Sequence, residues 1–478
     1  MRHFWLLVAV CLLGAGLRFH ALTQDVRFHA DEAFFTAFAQ QAVTQGDWML
    51  PGPLDKSPLS IYASALSLHV VAVYENALGV IDVDARQGEF AARVPNTFAG
   101  IVIVALAAAI TRRIAGVPAA LLAALLAACS PYLISFSPSA FTDVGMLVLM
   151  LAALLATLHG RPGRAGALLA LSIAAKQQGI FYLPLLLVLL PPRVWWRFGL
   201  ALTVGVSLLL LWDVLRPAAS IFAVAAENNA PGRLFAAPGD IIPRLRVWLG
   251  YAAWMLGAPL VTLGLVLVAG VMLLGSYRHR RSPGVVNIIA LYTFAYLAAH
   301  VIVAFNTYDR YLLPVVPLVI VLVAVGVSQM ALRRRWVGIG LAALLLPTAL
   351  QSSGLNIDLG RDHTPLDRPG EIIALAEYLN TRPTGTIVYN PWLGWEMGYY
   401  MGAWTDKRRV YYPAPAALLR DATANPEAAP RYLVAPTNAD LTPWVTELRG
   451  AGFRVRVDYQ TPRYIAFRLL HPSAASGV

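Results

Sequence analysis

The chain has 478 residues, 58% of them hydrophobic and only 13% charged, where a soluble domain carries about 25% charged residues. That composition excludes an ordinary soluble globular protein and points to a membrane protein. The formal net charge of +11 is scattered in small groups with no continuous basic face, which argues against nucleic-acid binding.

Apolar runs at 4–22, 95–111, 117–134, 141–159, 164–176, 179–192, 197–215, 247–275, 285–305, 310–332 and 336–352 predict about eleven transmembrane helices, since roughly 20 apolar residues cross a hydrocarbon core. A retained signal anchor fits 4–22 better than a cleaved signal peptide, because Arg18 interrupts the run and no small-x-small site follows. With the N-terminus in the cytoplasm, Arg112/Arg113, Arg161/Arg164, Arg193/Arg197, Arg278/Arg280/Arg281 and Arg333/Arg334/Arg335 all fall on the cytoplasmic side, as positive residues do. The two cysteines, Cys11 and Cys129, lie in apolar runs, so no structural disulfide is expected.

Three segments fall outside the membrane. The first loop, 23–94, contains "DEAFFTAFAQQAV", whose apolar residues at 34, 35, 38 and 42 predict an amphipathic helix lying in the interface. A second loop, 216–245, contains "AAENNAPGRLF". From about 356 to 478 the composition turns polar. There "GEIIALAEYLN" has helical spacing, while "GTIVYNP", "RRVYYP", "RYLVAP", "FRVRVDY" and "YIAFRLL" read as short strands. The expected organisation is an all-α polytopic membrane domain, 1–355, followed by a small extracytoplasmic α/β domain, 356–478.

Polar clusters gather on one predicted face of the membrane. They are Asp31–Glu32, "LDKSPLSIY" at 54–62 with Asp55 and Lys56, "SAFTDVG" at 139–145 with Asp143, Lys176 beside Gln177 and Gln178, and "YDRYLLPVVP" at 308–317 with Tyr308 and Arg310. Each has an ordinary explanation by itself. The acids favour the first turn of a helix, Asp143 suits a helix cap, Asp55–Lys56 suits a surface ion pair, and Arg310 suits snorkelling to headgroups. Independent caps and anchors have no reason to share a face, whereas charges at a membrane boundary often mark a site. A carboxylate there can take a proton from a hydroxyl or amine. Lys and Arg can hold a phosphate, Arg through a planar fork and Lys as a mobile point charge.

In their order, "LRFHALTQDVRFHADEAF", "LDKSPLSIY", "ARVPNTFAGIVIV", "SAFTDVGMLVLMLAALL" and "YDRYLLPVVPLVIVL" resemble the successive motifs of the GT-C membrane glycosyltransferases. The likeness is strongest to the branch holding protein O-mannosyltransferases and the lipid A aminoarabinose transferase. It runs from residue 1 to about 352. The resemblance implies inverting transfer of a sugar from a polyprenyl-phosphate donor to a protein, lipid or glycan acceptor at the extracytoplasmic face of the cell membrane. It assigns Asp31 to the acceptor, with Glu32 as its partner, and Lys56 to the donor phosphate. The family's Lys-Pro-Pro-like motif reads Lys-Ser-Pro here, so Ser57 departs from it. Asp55 takes the acidic position before that lysine, and Asp143 and Arg310 match polar residues heading two later helices.

"IDVDAR" at 81–86 contains an Asp-x-Asp, the metal signature of soluble glycosyltransferases. It precedes a membrane helix here instead of following a nucleotide-binding strand, and His29, His300 and His363 are dispersed, so no metal or other cofactor is expected. A transporter or flippase of a lipid-linked sugar is the rival reading. It calls for midplane polar residues and repeated halves, and no repeat is visible. A scaffold displaying the C-terminal domain leaves the first-loop charges unexplained.

Overall fold

The computed structural model describes residues 2–77, 79–229, 232–277, 284–331, 335–355, 367–424 and 429–471. The chain divides into two compact units. The first comprises Met1–Gln24, Met49–Ser67 and Phe90–Thr364, the second Asp25–Trp48, Leu68–Glu89 and Pro365–Val478.

The first unit is helical. Among the described residues of the chain, His3–Leu22, Ala85–Ala115, Pro192–Leu215 and Val285–Ile302 are long and apolar enough to cross a membrane, and eight shorter apolar helices of 10–17 residues accompany them. Two predicted runs are each divided. The run at 117–134 breaks into Val117–Cys129 and Pro131–Phe136, because Ser130 caps the second helix by accepting the Leu133 N–H at 3.3 Å and Pro131 has no N–H to continue the first. The run at 247–275 is two helices, Pro238–Ala252 and Pro259–Tyr277. Pro259 starts the second, since its fixed φ and missing donor suit a first turn. Arg278, Arg280, Arg281, Arg333, Arg334 and His363 lie outside the described residues.

Arg18, in the helix Arg2–Leu22, is fully buried. Its Nε donates to Ser137 Oγ at 3.1 Å, and its Nη atoms donate to the carbonyls of Gly14, Ala127 and Ala128 at 3.0–3.2 Å. Ala127 and Ala128 end the helix Val117–Cys129, where carbonyls lack intrahelical partners and the helix dipole is negative. The charge that interrupts the first apolar run thus closes the end of a neighbouring helix.

The second unit holds two sheets. A hairpin pairs β1 (Val73–Glu75) with β2 (Ile81–Val83). The larger sheet contains β3 (Ile387–Tyr389), β4 (Arg408–Val410), β5 (Arg431–Pro436), β6 (Arg454–Gln460) and β7 (Tyr464–Leu470) in the order β4-β3-β5-β7-β6. The first three strands are parallel, and β7 and β6 continue antiparallel. All five predicted strand segments carry one of these strands, and "GEIIALAEYLN" carries the helix Glu371–Asn380. The core joins Ile387, Tyr389 and Leu433 of the sheet to Leu418, Trp444 and Leu448 of the helices Pro415–Ala424 and Thr442–Gly450.

The first-loop segments Asp25–Trp48 and Leu68–Glu89 belong to this second unit, and Met49–Ser67 to the first. The predicted amphipathic helix is Ala30–Gln45, but its apolar face does not lie on lipid: Phe34, Phe35, Phe38 and Ala42 are buried in protein. The Phe34 ring lies 4.1 Å from that of Trp395 in the helix Gly394–Tyr400. Amphipathicity marked the buried face and was silent on what covers it. The Asp-x-Asp is also accounted for. Asp82 sits in β2 opposite Tyr74, and Asp84 accepts the Gln87 N–H at 2.8 Å, capping the helix Ala85–Ala115.

Candidate functional site

In the first unit, the segment "LDKSP" runs into the helix Leu59–Val71 and brings Asp55 and Lys56 to a cavity of about 190 Å³. Opposite them, the helix Pro162–Ala175 stops at Lys176, whose extended backbone starts a 3-10 turn, Gln177–Tyr182. Lys176, Gln177 and Gln178 therefore also line the cavity. Gln177 ties the two sides together by donating from Nε2 to the Asp55 carbonyl at 3.0 Å. The remaining walls are aromatic and amide: Phe181, Phe305 and Tyr311, with Asn229, Asn306 and His300.

Two ion pairs order the charges. Lys56 Nζ donates to Asp55 Oδ2. Lys176 Nζ donates to Asp143 Oδ1 at 2.6 Å, with both side chains buried. Asp143 occupies the first turn of the helix Thr142–Leu158. The start of that helix is fixed by Asn96, which donates to the carbonyls of Ser139 and Phe141 at 2.7 and 2.5 Å. The charges of Arg310 and Lys56 also reach Lys176, and its ammonium lies 5.5 Å from the Tyr311 ring centroid. Arg310 is buried, its guanidinium 5.1 Å from the Phe141 ring and 4.7 Å from that of Tyr308. One oxygen of Asp55, Oδ1, is enclosed without a hydrogen-bond partner among the described residues.

Of the predicted site residues, Asp55, Lys56 and Lys176 line the cavity, Asp143 anchors Lys176, and Arg310 stacks on Tyr308. His300, Asn229, Asn306 and Phe305 had no sequence signal as a group. His300 and Asn229 lie at the ends of two separate helices, and Phe305 and Asn306 lie in the segment after His300. The His300 ring stacks on Tyr296 at 4.3 Å and stands edge-on to Trp248 at 5.5 Å. Its Nδ1 lies 2.9 Å from the Tyr296 carbonyl. A carbonyl can only accept, so Nδ1 carries the proton and Nε2 is the acceptor in the neutral ring.

Asp31 and Glu32 belong to the second unit, in the first turn of the helix Ala30–Gln45. Glu32 is fully buried and accepts the His29 N–H at 3.0 Å. Asp31 donates its own N–H to His29 Nδ1 at 3.1 Å. Glu32 thus closes a capping box, while the Asp31 carboxylate is left out of that box. Within the same unit stands Glu396, whose Oε2 is enclosed without a hydrogen-bond partner among the described residues. Burial pushes the Glu396 carboxyl up to about 7, and the charge of Asp31 adds to the push.

Residues 84–217 match the family described as dolichyl-phosphate-mannose-protein mannosyltransferase. The fold is similar to that of ArnT from Cupriavidus metallidurans, solved bound to undecaprenyl phosphate. That likeness has a TM-score of 0.60 and 15% identity, covering 97% of each chain. It is also similar to the archaeal oligosaccharyltransferase AglB from Archaeoglobus fulgidus, solved with an inhibitory peptide and a dolichol-phosphate. Here the TM-score is 0.58 with 11% identity, over 95% of this chain and 73% of that one. No curated protein matches the sequence. The GT-C fold expected from the motif order is present.

Proposed function

We propose that the protein is an inverting glycosyltransferase, moving a sugar from a polyprenyl-phosphate donor to a protein, lipid or glycan acceptor. The observation that carries this reading is the cavity where Lys56 and Lys176 face aromatic and amide walls, beside apolar helices that can hold an isoprenoid chain. The family match over 84–217 and the fold of ArnT, a protein solved with undecaprenyl phosphate, support it.

In the reaction, an acceptor hydroxyl or amine attacks the anomeric carbon from the side opposite the phosphate. The bond from that carbon to the phosphate oxygen breaks, and polyprenyl phosphate leaves. A single displacement inverts the configuration. The acceptor's proton passes to Asp31, a role that rests on the resemblance and on the chemistry of a carboxylate. Lys56 and Arg310 hold the phosphate as negative charge builds on its bridging oxygen. At an effective dielectric near 20, one such contact at about 4 Å is worth roughly 4 kcal/mol before desolvation, so stabilising the leaving group is the largest effect available. Asp143 holds Lys176 in place, and Tyr308 supports Arg310.

The proposed topology has about eleven spans, a cytoplasmic N-terminus and an extracytoplasmic 356–478 segment in the cell membrane. The test is incubation of the purified protein in lipid nanodiscs with a panel of radiolabelled polyprenyl-phosphate sugars and cell-envelope acceptors. Consumption of one donor with label moving to an acceptor is the expected result. A protein that consumes none of them and instead moves the intact donor across vesicles would be a flippase.

A further inference from the structure

At the end of the apolar helix Trp195–Leu215 stand two buried charges that the proposed reaction does not use, Asp213 and Arg216. They pair at 3.7 Å. Arg216 Nη2 donates to the carbonyls of Leu50 and Gly52 at 2.8 and 2.9 Å, and Nη1 donates to that of Ala219 at 3.2 Å. Asp213 turns the other way. Its Oδ2 accepts from Ser220 Oγ at 2.6 Å, and its Oδ1 accepts the Ile221 N–H at 2.9 Å, at the start of the helix Ile221–Asn229.

Both segments so held contribute to the lining of the cavity. Leu50 and Gly52 lead directly into Asp55 and Lys56, while the helix Ile221–Asn229 supplies Ala225 and Asn229. The loop needs holding. Leu50 has φ +51° and Gly52 φ +116°, and a branched side chain in the left-handed region persists only where its surroundings impose it. The buried carbonyls of the loop also need donors, and a guanidinium offers several in one rigid fork. Beyond Lys56, the same helix end grips the chain again. Trp212 Nε1 donates to Tyr62 Oη at 2.8 Å, and the Arg216 guanidinium lies 5.3 Å from the Trp212 ring.

The geometry points to Arg216, braced by Asp213, as a positioning residue that sets two of the segments lining the donor cavity and so the place of Lys56. This rests on the donor reading above. A charge at this depth that served stability alone could be replaced by packing without a change in binding.

The experiment uses the full-length protein in nanodiscs with undecaprenyl phosphate as the probe, reading hydrogen exchange, thermal midpoint and affinity together. Arg216→Ala is expected to speed exchange at 49–56 and 219–224 at least tenfold, leave 142–158 unchanged, and weaken undecaprenyl-phosphate binding at least tenfold. Arg216→Lys, which keeps charge but not the fork, should fall between. Unchanged exchange at 49–56, or a lower thermal midpoint with unchanged affinity, overturns the proposal. If the alanine variant does not fold, the lysine variant decides by the same readouts. Wild-type protein that does not bind undecaprenyl phosphate defeats the donor reading and this proposal with it, whereas wild-type binding with indifferent variants defeats the positioning role alone.

Discussion

Lys176 and Asp143 form an ion pair of 2.6 Å with both side chains only 3% exposed. Removing one partner of such a pair leaves an uncompensated buried charge, typically a loss of about 3–5 kcal/mol. Lys176→Met alone and Asp143→Leu alone are therefore expected to lower stability strongly. The double variant should recover most of the loss, because two apolar groups can repack. Donor use should not return with stability. A double variant as active as wild type, measured at equal protein level, would remove the pair from function.

Substitutions of the two proposed phosphate ligands should differ in kind. Lys56→Ala and Arg310→Ala are each expected to lower donor use at least tenfold. Lys56→Arg should keep part of it, since the charge remains. Arg310→Lys should resemble Arg310→Ala, because the planar group over Phe141 and Tyr308 is lost with the fork. Initial rates against donor concentration decide, and unchanged KM in both alanine variants contradicts the assignment.

Asp31 and Glu32 are adjacent in sequence and differ in environment, so their amides should behave differently. Asp31→Asn cannot take a proton, and turnover should drop roughly 10²–10⁴-fold with the fold intact, the usual worth of general-base catalysis. Glu32→Gln keeps a carbonyl oxygen for the His29 N–H, so it should fold. Glu32→Ala opens the capping box at a loss of about 1 kcal/mol. A dead Glu32→Gln beside an active Asp31→Asn reverses the assignment of the base.

Glu396 gives the stability of the second unit a pH dependence. Its carboxyl titrates near 7 when folded, against 4.5 as its ordinary value, so between these values the folded state binds more protons than the unfolded state. Stability should then be fullest below about pH 4.5 on this group's account, fall as pH rises, and level off above about pH 7. Glu396→Gln removes the titration, and the variant should be the more stable protein at pH 8. Thermal midpoints from pH 5 to 8 check this, and parallel curves for the two proteins contradict it.

Orientation can be tested independently of chemistry. Reporters fused after Arg112, Arg281 and Arg335 are expected to read cytoplasmic, and one fused at Val478 extracytoplasmic. A cytoplasmic signal at Val478 inverts the proposed topology and removes the Asp31 loop from the outer face.

The parts of this molecule that were legible in the sequence are those written locally. Charges set beside apolar runs flagged Lys56, Asp143, Lys176 and Arg310, since such placement is costly unless used. Alternating β-branched and aromatic residues gave the five strands of the larger sheet. Breaks inside an apolar run were not visible, because hydropathy is the same on both sides of the 253–258 turn that divides the run at 247–275. The aromatic and amide cavity walls were hidden for another reason: His300, Asn229 and Phe305 meet only through tertiary folding. Asp213 and Arg216 read as the unremarked end of a membrane helix, though Arg216 grips residues more than 160 positions earlier.

The second unit draws on Asp25–Trp48 and Leu68–Glu89 as well as on Pro365–Val478, and this sets a timetable for biogenesis. At roughly 5–20 residues per second, the ribosome needs about 14–55 s to travel from Glu89 to Pro365. Through that interval the aromatic face of the helix Ala30–Gln45, with Phe34, Phe35 and Phe38, has not met the Trp395 segment that covers it. A nascent chain released early therefore exposes a sticky patch, and truncation before residue 365 should leave a product prone to aggregation and quality-control proteolysis even with every apolar span already synthesised.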